Sequence, residues 1–479
     1  MNDETKSQQQ GFPRLKPKAS ATIIRAAGGI AQPGASAQPR TSQPTPVAPA
    51  PKPRPKPSML FSLGALATDP SVAFDASPEQ LFGRHCAVIG ATGGGKSWTL
   101  ARLLEECSKV RSKVILVDAT GEFFPLSHGV RHVYVGNDPE PTEGSMSVGV
   151  PYFHLRESDL VTIFQPSGPS QAPKLRAAMR SLKLARLAPQ LSIDGTIMKA
   201  HRLKTEFEEQ SGLFNSELEN PYALFEISHL VRQIQHECVD PFRSAVEPLV
   251  WGGVNAMELA QCNSLVSRIQ DVITLPQLAC IFQTEEIPSL FDEIHTFLKD
   301  PVSRILRISL KYVPFDYSAR EIVANALARH LLELAREDVF RHLPVVMFVD
   351  EAHQFLNRTF EDQLREGASI NSFGLIAKEG RKYGLSLCLA TQRPRDIPED
   401  ILSQMGTVLV HRLINFHDIE VVEKAAGNMS RALMGTVPQL KSGEVLIVGV
   451  DFDEPQLVKM HTPECPPFSK SADYQKLWK

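Results

Sequence analysis

Apolar runs of two kinds alternate along this chain. "HCAVIG" (85–90) is a short apolar stretch ending in glycine, and it reads as a buried strand. "KSWTLARLLEEC" (96–107) places Leu100, Leu103 and Leu104 on one helical face. "KVILVDA" (113–119) predicts a second buried strand. Strand, glycine loop, helix, strand is the opening of a parallel α/β sheet. Between 151 and 300 the texture changes. "PKLRAAMRSLKLARL", "GTIMKAHRLKTEFEE" and "NAMELAQCNSLVSRIQDVI" carry helical periodicity, which predicts a mainly helical insert. Strand patterns return with "RILRISLKYV" (304–313) and "PVVMFVDEA" (344–352), which flank the helix pattern "AREIVANALARHLLELARE". "GLSLCLATQ" (384–392) and "GTVLVHRL" (406–413) follow, and "GEVLIVGV" (443–450) is expected to close the sheet. The expected fold class is α/β with a parallel-rich central sheet.

Residues 1–57 lie outside this pattern. They are rich in Pro, Ala, Gln and Ser, and "PVAPAPKPRPKPS" favours extended polyproline II. The segment has too little apolar surface to offset the entropy of ordering, so a disordered tail is predicted, either a solvated linker or a docking or DNA-tethering arm. The resulting division is 1–57 tail, 58–150 first part of the core, 151–300 helical insert, 301–460 second part of the core and 461–479 C-terminal tail.

Charge sharpens this division. The net charge is −3, but residues 1–57 hold nine basic and two acidic side chains, or +7, which leaves −10 for the rest. A body of that balance is not a general nucleic-acid coat. Any DNA contact needs its positive charge concentrated locally, as in a channel. The seven cysteines are scattered, with no C-x-x-C pair, and suggest neither a disulfide framework nor a zinc site. No long apolar run predicts a membrane span, and the polar N-terminus lacks a secretory signal pattern, so the cytoplasm is the expected compartment.

The chemistry concentrates at strand ends. Gly90-Ala91-Thr92-Gly93-Gly94-Gly95-Lys96-Ser97 fits G-x-x-x-x-G-K-[ST] in full, between a strand and a helix. Glycines let the backbone wrap around phosphate, and the N–H groups at the helix start point at the anion. Lys96 is expected to reach the β- and γ-phosphates and Ser97 to hold Mg²⁺. Trp98 is open between core packing and a place beside the nucleotide. Asp350 and Glu351 end the strand "VVMFV", where adjacent carboxylates are costly unless a cation or proton relay uses them. Asp350 is expected to support Mg²⁺ and Glu351 to polarise the attacking water. Gln392 ends "LCLATQ", at a place suited to sensing the γ-phosphate.

"RHCAVIGATGGGKSWT", "VILVDATGEF", "VVMFVDEAHQFL", "KEGRKYGLSLCLATQRPRDIPEDILSQMGTVLVHRLIN" and "GEVLIVG" occur in this order. Together they resemble the HerA-type branch of the HerA–FtsK superfamily of P-loop NTPases, over roughly 60–460. The "EGRKYG…TQRP…LSQ" block carries most of the specificity. The resemblance implies a RecA-like core, a homo-hexameric ring, ATP-driven translocation of double-stranded DNA, and a separate nuclease or effector partner, in DNA-end processing or anti-phage defence. It implies Walker A roles for Lys96 and Ser97, Walker B roles for Asp350 and Glu351, and a sensor role for Gln392. It also implies that Arg381 is an arginine finger acting in trans and that Arg84 is a second arginine near the subunit boundary. Asp118 and Glu122 match an acidic motif beside the site. The family's N-terminal β-barrel is expected to be absent or replaced here, since only about 25 residues separate the Pro-rich tail from the first ATPase strand, and no nuclease signature stands out.

"NRTFEDQLREGASINSFGLIAKEGRKYG" reads as a long polar loop, with Arg358, Lys378 and Lys382 as candidate DNA-phosphate contacts. A regulatory ATPase ring that switches an effector without processive translocation shares every motif, so the sequence leaves both readings open. A conjugation or secretion coupling ATPase is disfavoured by the lack of a span.

Overall fold

The computed structural model describes residues 57–136, 144–356, 372–427, 431–468 and 474–478. Residues 57–479 form one compact unit; the predicted tail, Arg358 and the first part of the expected polar loop lie outside the described residues.

Among the described residues, twelve strands build one sheet. In chain order they are β1 (Phe61–Leu66), β2 (Ala73–Ala76), β3 (Cys86–Ile89), β4 (Lys113–Asp118), β5 (Val130–Val135), β6 (Ser145–Val148), β7 (Ile305–Ser309), β8 (Val345–Val349), β9 (Leu385–Thr391), β10 (Thr407–Val410), β11 (Glu444–Gly449) and β12 (Gln456–Met460). Their spatial order is β2-β1-β12-β11-β10-β3-β9-β8-β4-β7-β5-β6. From β10 to β6 every pairing is parallel; from β10 to β2 every pairing is antiparallel.

The central parallel strands β3, β4, β8, β9 and β10 are mostly apolar because both faces are covered. Cys86 and Val88 point into a core that holds Leu100, Leu103 and Leu104 of the helix Lys96–Ser108. Ala87 and Ile89 point into the other core, with Val323, Ala326 and Leu327 of the helix Ala319–Arg336. That second core continues into the helices between β6 and β7. Leu175, Ala178 and Leu182 of Gly168–Leu187 join it, as do Ile234 of Leu230–Glu237 and Leu265 and Ile269 of Ala256–Thr274. The inserted helices therefore share the sheet's apolar interior.

Three sequence expectations need correction. β11 does not close the sheet: β12, β1 and β2 lie beyond it, antiparallel. The stretch 195–209 is not one helix. Positive φ at Asp194, Gly195 and His201 breaks it, and the helix starts at Lys204. The polar-loop reading also fails over its described half. Ser372–Glu379 is a helix, because Phe373, Ile376 and Ala377 bury one face. No single described helix is long and apolar enough to cross a membrane.

Candidate active site

The glycine loop leaves β3 at its carboxyl end and runs into the helix Lys96–Ser108. Gly93 and Gly95 take φ of +76° and +109°, which a side chain would strain. A Cβ on Gly90 would stand 2.5 Å from the His411 Cβ, so only glycine lets the loop lie on that residue. His411 is fully buried. Its Nδ1 donates to the Glu444 carbonyl at 3.0 Å, which leaves Nε2 to accept from Thr99 Oγ1 at 2.9 Å. Burial pushes its pKa down to about 4, so it braces the loop as neutral imidazole.

Lys96 lies beneath the loop. Its ammonium is 2.8 Å from Asp350 Oδ1 and 3.0 Å from Glu351 Oε1. Gln392 Nε2 donates to the same Glu351 oxygen at 2.5 Å, and Thr92 Oγ1 donates to Gln392 Oε1 at 2.5 Å. One hydrogen-bonded chain thus joins the loop to the ends of β9 and β8. Burial opposes the charge on Lys96, but Asp350 and Glu351 outweigh it and hold its pKa above the ordinary value. Burial raises the Asp350 carboxyl, against the pull of Lys96. Glu351 takes a φ of +47°, left-handed for a residue with a side chain, a conformation that costs energy and clusters at functional sites.

Asp118, at the end of β4, supports a second acidic group. It accepts from the N–H groups of Gly121 (2.8 Å) and Phe123 (3.1 Å) and from Arg307 Nε (2.7 Å). The turn so fixed carries Glu122, which lines the same cleft as the loop, Glu351 and Gln392. Burial raises the Glu122 carboxyl, and Asp350 adds to this. Glu122, Asp350 and Glu351 thus face one buried lysine, while Asp118 is already paired. This surplus of oxygen donors fits a divalent cation of the Mg²⁺ type, with Ser97 at the helix start as a further oxygen. No cluster of three or more His, Cys, Asp or Glu able to hold a metal occurs among the described residues.

Trp98 is 43% exposed and lines this cleft, so it is not a core residue. The cleft, about 430 Å³, has a wall that sequence reasoning missed: Ser442, Gly443, Lys459, Met460, His461 and Thr462. Gly443 opens "GEVLIVG", but no motif marks Lys459 to Thr462, because β12 reaches the loop only through sheet order.

Arg84 and Arg381 sit elsewhere. They line a separate cavity of about 660 Å³ at the amino ends of β3, β9 and β10. β9 alone spans seven residues, about 20 Å of strand, so neither arginine meets the glycine loop of its own chain. Arg84 Nε is 3.2 Å from Asp451 Oδ2. Lys378 and Lys382 line the same cavity, and Lys378 makes an exposed ion pair with Asp400 at 2.7 Å.

Comparison with known proteins gives the family. Residues 61–236 match the family "Helicase HerA, central domain", and residues 335–472 match "Helicase HerA-like C-terminal". The chain belongs to the HerA-type family of P-loop ATPases. The two matched segments carry the glycine loop on one side and Asp350, Glu351, Arg381 and Gln392 on the other. The DNA double-strand break repair helicase HerA of Pyrococcus furiosus is 23% identical over 407 residues, 83% of this chain and 69% of that protein. "Probable helicase MJ1565" of Methanocaldococcus jannaschii is 23% identical over 408 residues, 83% of this chain. The chain spans 66% of that relative's length, just under two thirds. Among solved structures, VirB4 of Thermoanaerobacter pseudethanolicus aligns with a TM-score of 0.46 at 15% identity, over 88% of this chain and 99% of that one.

Proposed function

We propose that this HerA-type chain is a ring-forming ATP hydrolase that translocates double-stranded DNA. The observation that carries the hydrolytic part is the unbroken contact chain Thr92–Gln392–Glu351–Lys96–Asp350. It ties the phosphate-binding loop to the carboxylate expected to polarise water. In this reading Lys96 exchanges its carboxylate partners for the β- and γ-phosphates. Glu351 orients and deprotonates the attacking water, and Gln392 reports the γ-phosphate to the loop through Thr92. Ser97 and Asp350 would hold Mg²⁺, which neutralises phosphate charge when bound.

The arginines support a site completed by a neighbour. Arg381 and Arg84 stand at the opposite edge of the sheet from their own loop. A guanidinium serves the γ-phosphoryl group only from within hydrogen-bond reach, so these two act on another copy's nucleotide. A homo-hexamer satisfies this head-to-tail contact by ring closure. Arg358, Lys378 and Lys382 are the proposed DNA-phosphate contacts, Lys378 after release from Asp400, and a separate nuclease or effector is the proposed partner. The test is ATP turnover by the full chain with and without double-stranded DNA, across a salt series. DNA stimulation that fades with rising salt is expected. Turnover indifferent to DNA at every salt would replace the translocase with an effector-switching ring.

A further inference from the structure

The sheet order gives the nucleotide cleft two distinct sides. The loop follows β3. Gln392 and Glu351 follow β9 and β8, on one flank of β3. β10, β11 and β12 lie on the other flank, and β12, antiparallel to β11, ends at the same carboxyl edge as the loop. If the γ-phosphate belongs beside Glu351 and Gln392, the α-phosphate and nucleoside belong toward β12.

That flank is built close to the loop. Gly443, just before β11, donates its N–H to the Gly94 carbonyl at 3.2 Å, and a Cβ on Gly95 would come within 3.1 Å of the Gly443 nitrogen. Met460 N–H donates back to the Gly443 carbonyl at 2.9 Å, which pins the end of β12 to the same turn. Lys459 is exposed there. Its ammonium donates to the Ser442 carbonyl at 2.5 Å and borders the cleft, with His461 and Thr462 continuing the wall. Among the described residues, Lys96 and Lys459 are the lysines lining the cleft, and Lys96 is committed to the Asp350 and Glu351 side.

We propose that the end of β12, Lys459 to Thr462, is the nucleoside-side wall of the ATP pocket, with Lys459 a second phosphate-binding lysine for the α- and β-phosphates. This rests on the nucleotide reading of the cleft and adds the side from which the nucleotide is held. ADP keeps both phosphates concerned, so Lys459 acts on ADP and ATP alike. Its ammonium leaves the Ser442 carbonyl for a charged acceptor, a stronger bond.

The test measures ATP and ADP binding to the full-length chain, wild type, K459M and K459R. K459M is expected to weaken both nucleotides by about tenfold, as loss of one charge-assisted bond does. K459R restores most of the affinity, and the nucleotide-free thermal midpoint of all three proteins stays the same, because Lys459 is exposed. Unchanged affinities in K459M would overturn the proposal, as would a loss confined to ATP, which would put Lys459 at the γ-phosphate. His461→Ala is expected to weaken ATP while leaving inorganic triphosphate unaffected; equal losses for both would overturn the nucleoside wall. A wild-type chain that binds no nucleotide would instead refute the function proposed above.

Discussion

Glu351 carries three constraints at once: a left-handed backbone, a lysine at 3.0 Å and the Gln392 amide at 2.5 Å. A side chain held this way is oriented before any water arrives, and general-base catalysis typically contributes about 10²–10⁴-fold. Glu351→Gln keeps the shape and removes the base. Turnover should fall by about a hundredfold or more while ATP binding, measured by titration, stays near wild type. A loss of binding equal to the loss of turnover would place Glu351 in ground-state recognition. Glu351 and Gln392 stood out in the sequence because each follows an apolar strand of the parallel core, where such sheets bind ligands, and Lys96 because it completes the glycine-loop motif. Lys459 was not legible. "QLVKMHT" alternates weakly, with Val458 and Met460 buried and Lys459 exposed, and nothing local says which strand it will join.

Among the elements, the turn bearing Arg381 is held from two sides by one buried imidazole. The Leu387 N–H donates to His85 Nδ1 at 2.9 Å, so Nε2 carries the proton and donates to the Ala377 carbonyl at 3.1 Å. His85 thereby clamps the helix Ser372–Glu379 to β9 on either side of the turn Gly380–Tyr383. A Cβ on Gly384 would lie 2.5 Å from the Phe340 carbonyl, so the turn has no slack. His85→Ala should cost about 2–4 kcal/mol by orphaning two buried backbone groups, read as a lowered denaturation midpoint. Protonation should act in the same direction. Burial pushes the pKa of His85, His330 and His411 from 6.5 down to about 4. Their folded pKa lies below the unfolded one, so their contribution is complete above pH 6.5 and is lost as pH falls through 6.5 toward 4. Denaturation midpoints at pH 7.5, 6 and 5 should therefore decline, and the decline should be shallower in a chain carrying His85→Gln. The same elements explain what patterning misses. Well-covered strands such as β4 and β8 announce themselves as apolar runs. β5 buries only its second half, and β6 is the polar-leaning "SMSV", so neither stands out.

At the scale of the whole molecule, the two halves of the proposed catalytic apparatus occupy opposite edges of one sheet. Lys96, Glu351 and Gln392 lie at the carboxyl edge, Arg84 and Arg381 at the amino edge. An assembly repeating head to tail brings one chain's carboxyl edge to the next chain's amino edge. Lys96→Ala and Arg381→Ala should each abolish turnover alone, the first by loss of nucleotide binding and the second with binding retained. Mixed before assembly, the two defects fall on different interfaces. A chain with Arg381→Ala offers an intact loop, and a Lys96→Ala neighbour offers an intact arginine, so random equal mixing makes about a quarter of all interfaces complete. Single-turnover hydrolysis per site should then rise from background to about a quarter of wild type. Full activity of Arg381→Ala alone would remove the arginine from the chemistry. A mixture as inactive as its components, with co-assembly verified by native mass, would show that the two edges do not meet across the interface.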